Sequence, residues 1–191
     1  YVGQMATNTG PHTITLPARV KSVKSIFGTF IDSTQMGSTD NFDTSVFQNA
    51  NLDNYRFEIG SVRYPQTQVD CNTNGREGVE NQVELQKAWG KLGDFGHQQA
   101  YSWKTTTNVE DPRDGVGVGS SLASTFCIGY DFEAFQRVAL EAGINTQDRS
   151  LPINFICQRS AVTANATRAD FFVLSDALYY INLDGTVSVS I

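Results

Sequence analysis

His12 and His97 are the two histidines of the chain, and either imidazole could accept a proton or bind a metal. His97 closes the tetrad Asp94-Phe-Gly-His97, where a carboxylate could orient the ring, and Cys71 could supply a thiol nucleophile. Nothing in the spacing brings these groups together, so histidines bonded to solvent or backbone are the simpler expectation. The glycines of DGVGVGSS, residues 114–121, would let backbone amides approach an anion. That run reads G-x-G-x-G, lacks the lysine of a phosphate loop, and has no evident strand before it or helix after it. A flexible surface loop is expected there. Asp40, Asp43, Asp53, Asp111 and Asp114 do not follow the alternating spacing of a calcium loop and read as solvated carboxylates. Asn165-Ala166-Thr167 is a glycosylation sequon, which matters only in a secreted chain. No residue is assigned a catalytic, cofactor or metal role; no cofactor is expected, and the chain is not expected to be an enzyme.

The elements that would carry such groups read mainly as strands. In HTITLPARVKSVKSIFGTFID, residues 12–32, Ile14 and Leu16 alternate with threonines, Pro17 interrupts, and Val20 to Ile31 bring β-branched and aromatic weight: two strands with a bend. Residues 32–54 are a long polar excursion held down by a few apolar residues. In YRFEIGSVRYP, residues 55–65, Tyr55, Phe57 and Ile59 share one face, and Gly60-Ser61 stand where a bulge would move Val62 and Tyr64 to the opposite parity. Pro65 cannot donate a ladder hydrogen bond, so the strand is expected to end or to reach a sheet edge there. VENQVELQKAWGKLG, residues 79–93, predicts a helix with Val79, Val83, Leu85, Ala88 and Trp89 on its apolar stripe and Gly90 at its close. EAFQRVALEAGI, residues 133–144, suggests a second short helical stretch. Further strands are expected around 124–132, 151–159, 169–183 and at the C-terminal TVSVSI, with Asp184-Gly185 turning the last hairpin. Roughly eight short strands, not alternating regularly with helices, imply an all-β fold: an antiparallel jelly-roll sandwich with one or two short helices in its connections.

Bulk composition narrows the function. The 191 residues fit one domain, 1–191, and 40% hydrophobic against 18% charged residues excludes a disordered chain. With 14 Lys plus Arg against 20 Asp plus Glu, the net charge of −6 disfavours direct nucleic-acid binding. Cys71, Cys127 and Cys157 are odd in number and far apart, and are expected to be free, mostly buried thiols of a reducing compartment. No apolar run is long enough for a membrane helix, so no membrane insertion is expected. A start at Tyr1 leads one to expect a removed leader or the later part of a longer polypeptide. The 12 Phe, 7 Tyr and 2 Trp exceed what a thin sandwich can bury. Phe42, Phe47, Tyr101 and Trp103, in the long connections, are expected either to cover a neighbouring subunit or to fold onto their own domain.

VKSIFGTFID, then NYRFEIGSVRYPQTQVD, then ENQVELQKAWGKLGD, and finally FFVLSDALYYINLDGTVSVSI occur in an order that resembles the later half of double jelly-roll major capsid proteins. That lineage includes virophages, Polinton-like viruses and adenovirus hexons. The resemblance rests on the strand pair at 55–65, the helix at 79–89 in the following connection and the Asp184-Gly185 hairpin. It implies a chain that is the second of two jelly rolls, with three copies of the polypeptide forming a pseudo-hexagonal capsomer of an icosahedral shell. The implied partners are the chain itself, neighbouring capsomers and penton or cement proteins. The implied location is the virion capsid, after synthesis in the host cytoplasm or nucleus. A carbohydrate-binding or receptor-attachment module is the competing reading, with Trp89, Trp103 or Tyr101 as a flat platform. A cupin-like enzyme would need a histidine-rich metal site that two separated histidines do not supply.

Overall fold

A strand whose alternate residues are apolar buries one face and leaves the other wet, and this rule accounts for most of the fold. The computed structural model describes residues 1–33, 47, 49–71, 79–90, 126–134, 142–148, 151–163 and 165–190. Its elements are β1 (Val2–Met5), β2 (Gly10–Leu16), β3 (Val23–Asp32), β4 (Leu52–Ile59), β5 (Val62–Asp70), α1 (Val79–Ala88), β6 (Cys127–Asp131), β7 (Ile153–Arg159), β8 (Thr167–Ser175), β9 (Leu178–Ile181) and β10 (Val187–Ser190).

Strand β1 pairs with β8, β2 with β7, β3 with β6 and β4 with β5, all antiparallel. Strands β1 to β4 therefore lie against β5 to β8 in reverse order, as if one long hairpin had been folded at its middle and rolled up. Rolling adds the β3–β8 and β4–β7 pairs and yields two four-stranded sheets, β1-β8-β3-β6 and β2-β7-β4-β5. This is the expected antiparallel jelly-roll sandwich. The remaining strands, β9 and β10, pair with each other and, among the described residues, with no other strand.

The sheets meet across a layer of aromatic rings. Phe155 of β7 lies 6.0 Å from Phe30 and 4.9 Å from Phe171 of the first sheet, and 6.0 Å from Tyr55 and 5.5 Å from Phe57 of its own, by ring centroids. Ile14, Leu16, Ile26, Leu52, Ile128 and Ile153 fill the spaces around them. Tyr55 brings its hydroxyl within 3.0 Å of the Gly129 carbonyl and 3.1 Å of Asn81 Oδ1, so a phenol from one sheet ties β6 and α1 to the core. Asn81 Nδ2 in turn donates to the Cys127 carbonyl at 3.2 Å.

Several expectations need correction. Gly60-Ser61 is a two-residue hairpin loop rather than a bulge: Ile59 pairs with Val62, and Gly60 takes a φ of 61° that a side chain would disfavour. Of the two outcomes expected at Pro65 the structure takes the second, and needs no correction there: β5 is the edge strand of its sheet and runs on through Pro65 to Asp70, since an outer side makes no demand on the missing N–H. Helix α1 buries Asn81, Leu85 and Ala88, whereas Val83 is only partly covered and Trp89 is exposed. The run expected at 169–183 is two strands, broken at Asp176-Ala177. Strand β1, which the sequence does not announce, exists because β8 offers it an edge. Of 133–144, residues 135–141 lie outside the described residues, and Ile144 bridges Val23 in place of a helical turn.

Phe155→Ala removes the ring shared by both sheets and is expected to cost about 3–5 kcal/mol in urea unfolding. Tyr55→Phe, which leaves the Gly129 carbonyl and Asn81 without that hydroxyl, should cost about 1–3 kcal/mol. Losses below half a kcal/mol in both would contradict this account of the core.

Candidate interaction surface

The two sheets present unlike outer faces. Across β2-β7-β4-β5 the outward rows are Pro11, Gln158, Asn54 and Asp70; Thr13, Ile156 and Arg56; and Thr15, Asn154, Glu58 and Arg63. Thr15 Oγ1 donates to Asn154 Oδ1 at 2.8 Å, and Arg63 lies 3.9 Å from Glu58. Hydrogen-bonding groups of this kind suit contact with water.

Across β1-β8-β3-β6 the outward rows change character along the strands. One end holds Gln4, Arg168 and Ile31, then Val2, Asp170, Thr29 and Cys127, with Arg168 paired to Asp170 at 2.7 Å. The next row is Phe172, Phe27 and Gly129, and beyond it stand Leu174, Ser25 and Asp131. A Cβ on Gly129 would come within 2.8 Å of Leu85 Cδ1 and 3.1 Å of the Ala88 Cβ, so the glycine is what lets α1 seat against β6. Trp89, just past the helix, stacks on Phe27 with ring centroids 4.5 Å apart. The helix thus covers the β6 end of the apolar row. Phe172 remains 61% exposed, Leu174 54% and Trp89 52%. Large apolar side chains clustered in this way mark a surface for another molecule.

The groups singled out for chemistry do not converge. His12 lies on β2, its Nε2 3.0 Å from the Asn8 carbonyl oxygen. Asp53 is partly buried on β4, where its Oδ2 accepts a long 3.5 Å hydrogen bond from Asn54. Asp40, Asp43, Asp94, His97, Asp111, Asp114, residues 114–121, Phe42, Tyr101 and Trp103 lie outside the described residues. Phe47 is partly buried, and its carbonyl accepts from Phe126 N at 3.2 Å. Among the described residues no group of three or more His, Cys, Asp or Glu side chains is arranged to hold a metal, and no helix is long and apolar enough to cross a membrane. A shallow groove of about 280 Å³ runs between β5 and α1, lined by Pro65, Thr67, Gln68, Val69, Glu80, Val83 and Glu84. Within the sequon, Asn165 Nδ2 donates to Asp32 and Thr167 Oγ1 accepts from buried Arg159, which also holds the Ala6 carbonyl.

All three cysteines are free, as expected. Burial pushes the Cys71 thiol well above its ordinary range and those of Cys127 and Cys157 up to about 12. The thiolate is the nucleophile, so these groups are inert at neutral pH.

Phe172, Leu174, Tyr179 and Tyr180 were not among the aromatic and apolar residues expected on the surface. The signal for them is the unbroken Phe171-Phe-Val-Leu174: a strand that is apolar at both parities has a second face to cover. The chain matches no protein-family model and no curated protein. What these features define is a fold: an antiparallel jelly-roll sandwich with one polar and one partly apolar outer face.

The native protein should react slowly with Ellman's reagent at pH 8, and all three thiols should react promptly in guanidinium. Because their folded-state values are raised, the stability held by the neutral Cys127 and Cys157 thiols is complete below about pH 9 and is lost as pH climbs toward 12. A fast native reaction at Cys71 would contradict this burial.

Proposed function

We propose that the chain is a structural capsid subunit: a jelly-roll domain, the second of two in its polypeptide, that trimerises into pseudo-hexagonal capsomers of an icosahedral viral shell. The observation that carries this reading is the strand order, β1-β8-β3-β6 facing β2-β7-β4-β5, an architecture shared by viral capsid domains, lectin domains and cupins. Two further features favour the first of these. The described core is filled by Phe, Tyr, Leu and Ile and holds no histidine, which argues against a cupin-type metal site. The exposed Phe172, Leu174 and Trp89 supply apolar area for a neighbouring subunit, and the net charge of −6 suits a wall that does not grip nucleic acid. Penton and cement proteins would be further partners, in the virion.

Trp89 favours a second reading. Stacked on Phe27 and half exposed, it could present its other side to a sugar, as a carbohydrate-binding or receptor-attachment module would require. Glycan titration followed by tryptophan fluorescence separates the two: saturable quenching that Trp89→Ala abolishes supports the module.

Size-exclusion chromatography with light scattering, on the chain and on a longer polypeptide that contains it, tests the capsid reading. A concentration-dependent trimer is expected. A monomer at every concentration would contradict it.

A further inference from the structure

The last two strands leave the sandwich from a clamped base. Asp176 donates its backbone N–H to the Ser22 carbonyl at 3.2 Å, accepts from Ser22 Oγ at 3.1 Å and pairs with Lys24 Nζ at 3.1 Å. Lys24 is anchored in turn by Glu133 at 2.9 Å. Only Ala177 then separates this clamp from β9.

Beyond it β9 and β10 form a ribbon with no other strand beside it among the described residues, and every residue from Tyr179 to Val189 is exposed. Register sorts the side chains. Tyr179 pairs with Val189 and Ile181 with Val187, so one face of the ribbon is wholly apolar, with Tyr179 70% and Ile181 80% exposed. On the opposite face Tyr180 pairs with Ser188. A two-stranded ribbon in water is marginal without something packed on its apolar face.

The chemistry of the missing cover can be read from the arm. Between Ala177 and Ile191 the sequence holds no lysine or arginine, and its single carboxylate, Asp184, sits in the turn at the tip. Such an arm offers nothing to phosphates or lipid headgroups. It fits an uncharged apolar surface about as long as a four-residue strand, roughly 13 Å. The chain carries such a surface itself, at Phe172, Leu174 and Trp89, and within one copy that surface and the ribbon both stay exposed.

We propose that the β9–β10 arm of each copy packs its Tyr179–Ile181–Val187–Val189 face onto the Phe172–Leu174–Trp89 surface of a second copy. Arm and acceptor are different patches, so two copies exchange arms about a two-fold axis, or successive copies pass them head to tail and close a ring, as the rotation between copies dictates. The inference rests on the self-assembly reading above and names the surfaces that would carry it.

Complementation between two defective chains tests it. I181D/V187D spoils the arm and leaves the acceptor; F172D/L174D does the reverse. Each alone is expected to associate at least about 30-fold more weakly than the unmodified chain, the loss typical of a central interface pair. Mixed in equal amounts they should form a one-to-one dimer, because one intact arm still meets one intact acceptor. All four positions are exposed, and circular dichroism checks that the sandwich survives. Hydrogen exchange on the unmodified chain is independent of any substitution: amides of 178–190 should gain protection as concentration rises. Unaltered association by both variants, or arm amides that exchange equally fast in monomer and oligomer, would overturn the arm contact while leaving self-assembly standing. A chain that stays monomeric throughout would overturn both.

Discussion

The ring of Phe155 is the point at which the two sheets become one body. It touches Phe30 and Phe171 on the far sheet and Tyr55 and Phe57 on its own, and those four residues lie on three strands, β3, β8 and β4. Sheet-on-sheet packing is specified by such interdigitation, and aromatic pairs add directional preference to the area they bury. The order of strands follows. Once β7 and β8 lie on opposite sides of this layer, their antiparallel pairing with β2 and β4, and with β1 and β3, builds each sheet outward.

A sandwich with a filled interior does its work at the surface. The interior here is rings and branched aliphatics, and its polar atoms serve structure: the Tyr55 hydroxyl reaches Gly129 and Asn81, while Arg159 bonds the Ala6 carbonyl and Thr167. The outer face of β2-β7-β4-β5 has its own ion pair and hydrogen bonds. The large apolar surface left uncovered is the Phe172–Phe27 row beyond α1, and the ribbon that leaves the sandwich a few residues later in the same stretch of chain. That asymmetry, one wet face and one partly apolar face, is the observation from which the proposed assembling role is argued.

Period-two patterning made the sandwich legible where it was strong. Ile14 and Leu16, Tyr55 to Ile59 and Ile153 to Cys157 alternate cleanly, and each forms a strand with the expected residues inside. It failed where a contact supplied by distant residues decides the outcome. Val2–Met5 is too short to be recognised and is strand only because β8 completes it. Asn81 belongs to the buried stripe of α1 because Tyr55 and the Cys127 carbonyl meet it there, which no helical periodicity encodes. Gly60-Ser61 reads as a bulge from the shift in alternation, and only the pairing of Ile59 with Val62 makes it a turn. The apolar surface is less legible still: composition points to aromatic residues in the polar connections, whereas Phe172 and Leu174 lie within a core strand at the parity that faces outward.

The central claim is that copies of this chain meet through the partly apolar outer face of β1-β8-β3-β6. Cryo-electron microscopy of the assembled polypeptide tests it most directly. The account predicts rotationally symmetric particles in which that face and the β9–β10 ribbon turn toward a neighbour, while the outer face of β2-β7-β4-β5 meets solvent. Isolated sandwiches, or particles joined through the Thr15–Asn154–Glu58 face with Phe172 in water, would contradict it.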